Sequence, residues 1–272
     1  MSLSNSDFLF IKDLVFKHAA ITLDADKTSL VETRLSKVCL KESIATPTEL
    51  VAKLRGKPFG PLHVKAVESM TTNETLFFRD MYPFDALRLH IVPELIQNKA
   101  QEKVINFWSA ASSTGQEAYS LNMLLCENFP SLMNWKVTTK GTDFSEEVVN
   151  KAKSGLYTEF EINRGLPEAL RKKYFEKKGE LFKISDKICS RVDFHTMNLA
   201  GAWSFPQQFD VILLRNVLIY FDPPTKKEIL TKMHRHLQPR GWLIMGTGEF
   251  PQNMDSQFER IVLEKATLFR KI

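Results

Sequence analysis

The chain has 272 residues, enough for one large domain or two smaller ones, and its hydrophobic (43%) and charged (25%) fractions are those of a globular protein with a core. No apolar run approaches the roughly 20 residues that span a bilayer, and its three cysteines lie far apart, which favours a reducing compartment over a disulfide framework. The net charge of +5 is weak support for an acidic partner, either nucleic acid or an acidic protein surface. We therefore expect a cytoplasmic protein without membrane insertion.

Residues 1–70 have the pattern of an all-helical domain. The pair Ser6–Asp7 is placed to cap a first helix, a second is expected from about Lys27 to Glu42, and Thr46–Pro47 starts a third. The second helix carries an apolar stripe on one side and a basic face on the other, at helical spacing. The apolar stripe is Val31, Leu35 and Val38, and the basic face is Arg34, Lys37 and Lys41.

From about residue 83, helical segments alternate with short apolar runs. These runs are 103–110, 135–143, 191–198, 209–218 and 241–249, and residues 261–272 predict a final strand or a closing strand pair. Alternation of strands and helices predicts an α/β fold with a mostly parallel sheet, in which ligands bind at the carboxyl ends of the strands. Residues 157–190 interrupt the alternation and are predicted to be an insertion with one helix and a small hairpin.

The first two predicted strands end in residues that suit either a ligand or a turn. The first runs into SAASSTGQE (109–117), where small side chains let a ligand approach the backbone, although a tight turn needs the same residues. Its single glycine differs from the G-x-G-x-x-G dinucleotide fingerprint. The second ends at Asp143, which is placed to hold a ribose hydroxyl pair or to cap the next helix, with Ser145 as an alternative cap.

Two later strand ends carry further polar groups. Asn198 and Leu199 end the 191–198 run, where a terminal asparagine is common turn chemistry. Arg215 and Asn216 interrupt the apolar run FDVILLRNVL. Because a buried arginine is costly unless it is paired or functional, Arg215 indicates either a functional site or a structural ion pair. The six histidines form no ligand cluster, so we expect no bound metal.

Residues 70–80, MTTNETLFFRD, place four polar residues directly before an aromatic run and an arginine. This stretch is followed in order by FWSAASSTGQEAYSL, GTDFSEEVVNKAKSGLY, FDVILLRNVLIYFD and LQPRGWLIMGTGE. Together these motifs closely resemble the CheR family, the chemotaxis receptor methyltransferases, over nearly the whole chain. That family consists of protein-glutamate O-methyltransferases that use S-adenosylmethionine (SAM).

The resemblance implies a Rossmann-like SAM-dependent methyltransferase domain (83–272) with a small β-subdomain insertion at about 157–190, a helical N-terminal domain (1–70), and a cofactor-contacting linker (71–82). It also implies roles for individual residues. The implied cofactor-binding residues are Asn73, Thr75, Arg79, Glu117, Asp143, Asn198, Leu199, Arg215 and Asn216. Arg79 and Tyr220 are implied to handle the substrate carboxylate. The chain departs from the usual family pattern at Ala111, Ser112, Ala118 and Arg240.

The implied substrate is a set of glutamates on the cytoplasmic helices of chemoreceptors. The basic face Arg34, Lys37 and Lys41 would meet these acidic helices, although a solvated helix face has the same pattern. Some family members also grip a peptide at the receptor C-terminus through a glycine-rich loop. The matching stretch here, KKGELFKIS, is short and has one glycine, so we predict no such tethering. We expect a monomer.

Two other readings remain open. One is a SAM-dependent methyltransferase with another substrate, such as nucleic acid. Asp222-Pro223-Pro224 resembles the D-P-P-Y signature of enzymes that methylate base amino groups, but Thr225 stands in place of the aromatic residue. The other is a non-catalytic module that binds SAM or the receptor, which loss of Arg79 or Tyr220 would have favoured.

Overall fold

The computed structural model describes residues 3–250 and 257–272, and the chain divides into two units. The first, here called the helical unit, comprises the described residues up to Thr72 together with Tyr220–Thr225. The second, the sheet unit, comprises Asn73–Ile219 and the described residues from Lys226 onwards. The boundary therefore falls between Thr72 and Asn73, so most of the predicted linker belongs to the sheet unit.

The helical unit contains α1 (Asn5–Ala19), α2 (Thr28–Lys41), α3 (Pro47–Leu54) and α4 (Pro61–Glu68). The hydroxyl of Ser4, rather than the predicted Ser6–Asp7 pair, caps α1 by accepting a hydrogen bond from the backbone N–H of Asp7. The apolar stripe predicted for the second helix is confirmed, because all three of its members are buried in α2. Tyr220–Thr225 joins this unit through an antiparallel bridge between Ile21 and Phe221.

The remaining elements follow in chain order. The helices are α5 (Tyr82–Ala86), the π-helical turn Leu87–Ile91, α6 (Val92–Asn98), α7 (Gln116–Asn128), α8 (Glu146–Ser154), α9 (Glu159–Asn163), α10 (Glu168–Tyr174), α11 (Asp186–Cys189) and α12 (Pro223–His236). The strands are β1 (Val104–Ala110), β2 (Lys136–Asp143), β3 (Leu156–Thr158), β4 (Phe175–Lys178), β5 (Leu181–Ile184), β6 (Val192–Thr196), β7 (Phe209–Leu214), β8 (Leu237–Met245), β9 (Phe258–Leu263) and β10 (Ala266–Lys271).

Among the described residues, seven strands form the main sheet in the order β6-β2-β1-β7-β8-β10-β9. The first five are parallel, and β10 runs antiparallel to both β8 and β9. The predicted mostly parallel α/β sheet is confirmed, and its final segment is a closing strand pair. Burial explains the sequence pattern, because β7 is buried at every position and reads as a continuous apolar run.

Strand register brings the predicted ligand-binding ends to one edge of the sheet. Ala110 at the end of β1 pairs with Thr142 in β2 and with Leu214 in β7, and Asp143 pairs with Thr196 at the end of β6. Residues that follow these four strands therefore share one edge, here called the carboxyl edge.

The insertion is larger than the predicted helix and hairpin. The hairpin exists as β4 and β5, joined by residues 179–180, but β3 also pairs with β5 to give a second, three-stranded antiparallel sheet in the order β3-β5-β4. Two short helices, α9 and α10, lie between β3 and β4 in the chain. A three-residue strand carries no readable alternation, which is why β3 escaped sequence analysis.

Candidate functional site

The loop after β1 has an unusual backbone. Ala111, Ser113 and Gly115 all have positive φ angles, of 58°, 49° and 94°. A Cβ atom at Gly115 would lie 3.0 Å from the ring of Phe194, so both the backbone angle and the packing favour glycine there. The loop thus turns tightly at the carboxyl edge and carries only small side chains between Ala111 and Gly115.

Asp143 fastens this loop to the end of β2. Its carboxylate accepts hydrogen bonds from the backbone N–H groups of Ser113 (2.8 Å) and Ser145 (3.2 Å). Ser145, not Asp143, is the N-cap residue of α8. Asp143 is 7% exposed, and burial raises its pKa above the ordinary value although backbone N–H groups oppose the shift. A carboxylate has about four acceptor sites, so this one can accept further hydrogen bonds.

Residues 73–80 of the MTTNETLFFRD motif lie against the same loop. The hydroxyl of Ser113 donates to the carbonyl oxygen of Asn73 (2.8 Å), and the backbone N–H of Phe78 donates to the hydroxyl of Ser120 (2.9 Å). Phe77 and Phe78 are both buried in the core of the sheet unit. Asn73 therefore lies at the carboxyl edge, while Phe77 and Phe78 anchor this part of the motif in the interior.

Arg215 connects the end of β7 to two other elements. Its guanidinium donates to Glu117 in the first turn of α7 (2.9 Å), to the Asp80 carboxylate (2.8 Å) and to the carbonyl oxygen of Arg79 (2.7 Å). The side chain is only 2% exposed. Glu117 also accepts a hydrogen bond from Ser109 (2.8 Å). The sequence left Arg215 as either a functional residue or part of a structural ion pair. The structure places it in a buried ion pair that holds the Arg79–Asp80 segment.

Arg79 has a different environment. Its side chain is half-buried and donates one hydrogen bond, to the carbonyl oxygen of Glu74 (3.0 Å). Within the part of the chain that the structure describes, Arg79 has no carboxylate partner. The Glu74 carboxylate pairs instead with Arg164 (3.0 Å). A guanidinium with unused donors at the carboxyl edge is suited to a carboxylate from another molecule.

Glu249 shapes the neighbouring loops, although its position in the sequence did not single it out. Its buried carboxylate accepts hydrogen bonds from the backbone N–H groups of Asn216 (2.6 Å), Leu218 (2.9 Å) and Gly246 (2.9 Å). Asn216 has a positive φ of 57°, and this backbone bond helps to hold it. The available signal was an acidic residue four positions after a continuous apolar strand.

Two contacts from the insertion were also missed. The hydroxyl of Tyr157 in β3 donates to the carbonyl oxygen of Thr114 (2.7 Å), inside the loop after β1. Gly165, between α9 and α10, packs so closely on the motif that a Cβ atom there would lie 2.1 Å from the carbonyl oxygen of Phe77. Both contacts join residues more than 40 positions apart, and no local pattern indicates them.

The other predicted cofactor residues are placed as follows. Asn198 and Leu199 follow β6 at the carboxyl edge; the Asn198 side chain accepts a hydrogen bond from the backbone N–H of Ala200 (3.0 Å), and Leu199 is buried. Thr75 is half-buried in the motif. Tyr220 belongs to the helical unit, where its carbonyl oxygen accepts from the backbone N–H of Thr22 (2.9 Å).

The predicted basic face is only partly displayed on the surface. Arg34 is half-buried and donates to the carbonyl oxygen of Met70 (2.5 Å) and to the hydroxyl of Thr72 (2.9 Å), so it ties α2 to the end of the helical unit. Lys37 and Lys41 are exposed. Arg34 therefore has a structural role of its own.

Two other features are absent from the residues that the structure describes. Across 3–250 and 257–272, no three His, Cys, Asp or Glu side chains are grouped so that they could hold a metal ion. No helix in these ranges has both the length and the apolar character needed to cross a membrane.

Comparison with known proteins accounts for nearly the whole chain. Residues 6–71 match the family model described as "CheR methyltransferase, all-alpha domain", and residues 73–267 match "CheR methyltransferase, SAM binding domain". Chemotaxis protein methyltransferase Cher2 of Pseudomonas putida is 35% identical over 99% of both chains. Chemotaxis protein methyltransferase 1 of Vibrio cholerae is 33% identical over 99% of this chain and 98% of its own.

The similarity extends to a relative of lower sequence identity. The chemotaxis protein methyltransferase of Escherichia coli is 30% identical, covering 95% of this chain and 89% of its own. The two family models divide the chain where the structure does, and the relatives match it almost from end to end. Both units are therefore identified together. The chain belongs to the CheR family of SAM-dependent chemotaxis methyltransferases.

Proposed function

We propose that this protein methylates glutamate side chains on the cytoplasmic helices of chemoreceptors, giving glutamate methyl esters and S-adenosylhomocysteine. Relatives named chemotaxis protein methyltransferases cover almost all of the chain. The structural observation that carries the proposal is Arg79, whose guanidinium lies at the carboxyl edge without a carboxylate partner in the described residues. Arg79 would therefore receive a carboxylate from outside the chain, which both the substrate and the cofactor possess.

The carboxyl edge suits SAM by the chemistry of its groups. Asp143 offers unused acceptor sites to a ribose hydroxyl pair, and the small-residue loop 111–115 allows close approach to its backbone. Asn73, Thr75 and Glu117 would contact the methionine side, and Asn198 and Leu199 the adenine side. When bound, SAM supplies a methyl group on a sulfonium sulfur.

Two residues first assigned to the cofactor have a different role in this proposal. The guanidinium of Arg215 is engaged by Glu117, Asp80 and the Arg79 carbonyl oxygen. The backbone N–H of Asn216 is engaged by Glu249. We assign both as positioning residues, which hold the site's segments in place.

The proposed nucleophile is a substrate carboxylate that needs no general base. A glutamate side chain has a pKa of about 4.3 in model peptides and is ionised at neutral pH. One of its oxygens forms a bond to the methyl carbon while the carbon–sulfur bond breaks and its electron pair stays on sulfur. Arg79 would hold the carboxylate, and the role of Tyr220 towards the substrate carboxylate stays a prediction. Alignment of this kind can lower a barrier by roughly 7–11 kcal/mol.

The test is transfer of labelled methyl from SAM to a chemoreceptor cytoplasmic fragment, followed by alkali treatment. Methyl esters release their label in alkali, whereas methylated amines and nucleic-acid bases keep it. We expect alkali-labile label that falls at least about 100-fold in Arg79→Ala, partly recovers in Arg79→Lys, and is unchanged in the exposed-lysine control Lys136→Ala. Alkali-stable label, or SAM binding without transfer to any receptor fragment, would contradict the proposal.

Docking of the receptor is proposed to use the basic face of α2. Its exposed residues, Lys37 and Lys41, would make the contacts, and Arg34 lies on the same face. Exposed charges act mainly through association rate and are screened by salt. Lys37→Glu should therefore raise KM for the receptor fragment at low salt, with little change at 0.5 M NaCl and in kcat. An equal effect at both salt concentrations would argue against this surface.

Tethering through a receptor C-terminal peptide is not part of the proposal. The β4–β5 connection, residues 179–180, has only two residues and leaves little loop to enclose a peptide. We expect calorimetry to detect no tight binding of receptor C-terminal pentapeptides. Tight binding would reverse this view of the insertion.

A further inference from the structure

Glu249 lies in the turn that follows β8. Residues 246–249 form this turn, in which the backbone N–H of Glu249 donates to the carbonyl oxygen of Gly246 (3.3 Å). Glu249 is only 6% exposed. A buried carboxylate is costly unless its oxygens accept hydrogen bonds, so the donors around Glu249 show what this side chain holds.

Both carboxylate oxygens of Glu249 bind backbone. Oε2 accepts the N–H groups of Asn216 (2.6 Å) and Gly246 (2.9 Å), and Oε1 accepts the N–H of Leu218 (2.9 Å). Asn216 and Leu218 follow β7, whereas Gly246 follows β8, its parallel neighbour. Glu249 therefore ties together the carboxyl ends of two adjacent strands. Because it is buried and both its oxygens are engaged, it acts through the backbone.

Gly246 provides the space that this carboxylate occupies. A Cβ atom at Gly246 would lie 2.1 Å from Oε2 of Glu249 and 2.9 Å from the backbone nitrogen of Asn216. The φ angle of Gly246 is not positive, so glycine is required there for space and not for backbone conformation. A glycine and a glutamate three residues apart thus build the contact together, and a methyl group at Gly246 would displace the carboxylate.

The backbone that Glu249 holds leads directly into Arg215. Asn216 is the next residue in the chain and has a positive φ of 57°, a conformation that persists only when its surroundings fix it. The guanidinium of Arg215 in turn donates to the Arg79 carbonyl oxygen (2.7 Å) and to Glu117 (2.9 Å). Relaxation of Asn216 would therefore shift Arg215 and loosen the segment that carries Arg79.

We propose that Glu249 is a positioning residue of the methyl transfer, whose carboxylate fixes the backbone after β7 so that Arg215 keeps the Arg79 segment in place. This inference rests on the proposed function and adds to it a residue that touches neither substrate nor cofactor. Both carboxylate oxygens are needed for this role. A glutamine side chain has one acceptor oxygen, and its NH2 group would face a backbone N–H, so it cannot accept all three donors in the same way.

The test compares Glu249→Gln and Gly246→Ala with a matched control, Asp210→Asn. Asp210 lies near the start of β7, at the opposite end of the strand from the backbone that Glu249 holds. It is 1% exposed, accepts the backbone N–H of Asn106 (2.8 Å) and pairs with Lys99 (2.8 Å). All three variants should lower the urea midpoint of unfolding, whereas only the first two should disturb the carboxyl edge.

The measurements are kcat and KM for a receptor fragment, under conditions where each variant is folded, and amide hydrogen exchange of residues 73–80. We expect kcat to fall about 30-fold in Glu249→Gln and Gly246→Ala, with faster exchange of residues 73–80, and both quantities to match wild type in Asp210→Asn. Unchanged kcat in Glu249→Gln, or an equal fall in Asp210→Asn, would overturn the role of Glu249 alone. If the wild-type enzyme methylates no receptor fragment, the proposed function fails, and hydrogen exchange still decides whether Glu249 holds residues 73–80.

Discussion

The ion pair between Arg215 and Glu117 allows a sharp test of how the site is held together. We consider Arg215→Met, which keeps much of the side-chain volume and removes the guanidinium. Glu117 would then keep a carboxylate that is 13% exposed without its cation, and the Arg79 carbonyl oxygen would lose a hydrogen-bond donor. The variant therefore tests whether this buried pair holds the Arg79–Asp80 segment.

The magnitude follows from the exposure of each partner. Removing one member of a buried ion pair costs about 3–5 kcal/mol, because the remaining charge is left buried. The Asp80 side chain is 51% exposed, and exposed pairs contribute only about 0–1 kcal/mol. Arg215→Met should thus lower the free energy of unfolding by about 3–5 kcal/mol, whereas Asp80→Asn should lower it by less than about 1 kcal/mol.

Urea denaturation of the full chain, monitored by tryptophan fluorescence, measures these differences in the free energy of unfolding. A double-mutant cycle then isolates the contribution of the Arg215–Glu117 pair. Glu117→Gln removes the stranded charge, so Glu117→Gln/Arg215→Met should cost less than the sum of the two single variants by about 1–3 kcal/mol. The KM for the receptor fragment should rise in Arg215→Met, since the held segment carries Arg79, which we propose to hold the substrate carboxylate. Additive single costs, or equal costs for Asp80→Asn and Arg215→Met, would refute the reasoning.

Three further predictions concern the insertion, the loop after β1 and Asp143. Gly165→Ala places a Cβ atom 2.1 Å from the Phe77 carbonyl oxygen, at a φ of +82°. In urea denaturation it should lower the free energy of unfolding by more than about 1 kcal/mol, whereas Gly179→Ala, which has open space around it, should lower it by less. Tyr157→Phe leaves the buried Thr114 carbonyl oxygen without its hydrogen-bond donor. It should lower the free energy of unfolding by about 1–3 kcal/mol and weaken SAM binding measured by calorimetry. Unchanged SAM affinity would contradict the idea that the insertion supports the loop after β1. Burial raises the pKa of Asp143 in the folded state, so the folded protein binds this proton at higher pH than the unfolded chain does. Its contribution to stability therefore falls as pH rises from the ordinary aspartate pKa through the raised one, and the stability difference between wild type and Asp143→Asn should decline across that window; a rise would contradict the assignment.

Local patterns predicted the parts of the fold that local physics determines. The apolar stripe of α2 and the buried runs of β1 and β7 follow from helical period and continuous burial, so these elements could be predicted directly from the sequence. Position at the end of a strand was also enough to select Asp143 and Arg215 as residues of interest. Their partners could not be read in the same way.

Partner choice depends on which loops meet, and that is a property of the folded chain. Arg215 is separated from Glu117 by 98 residues and from Asp80 by 135. An arginine within an apolar run of the sequence is compatible with a ligand contact and with an ion pair. Only the folded structure distinguishes these two roles. Glu249 was missed for a related reason, because a carboxylate that accepts backbone N–H groups needs no particular residue type opposite it.

The backbone of the motif explains why such an ion pair is needed at all. Phe78, Asp80 and Met81 have positive φ angles of 50°, 65° and 33°, in a region that side-chain-bearing residues avoid at a cost of about 1–3 kcal/mol each. The chain would relax from this conformation unless both sides of it were held. The Ser120 hydroxyl holds the N–H of Phe78, and Arg215 holds the carbonyl oxygen of Arg79 and the carboxylate of Asp80. Arg79 therefore extends from a segment that is fixed on either side. The proposed methyl transfer depends on alignment rather than on a proton transfer, so it would need a carboxylate-binding group whose backbone is fixed, as we propose for Arg79.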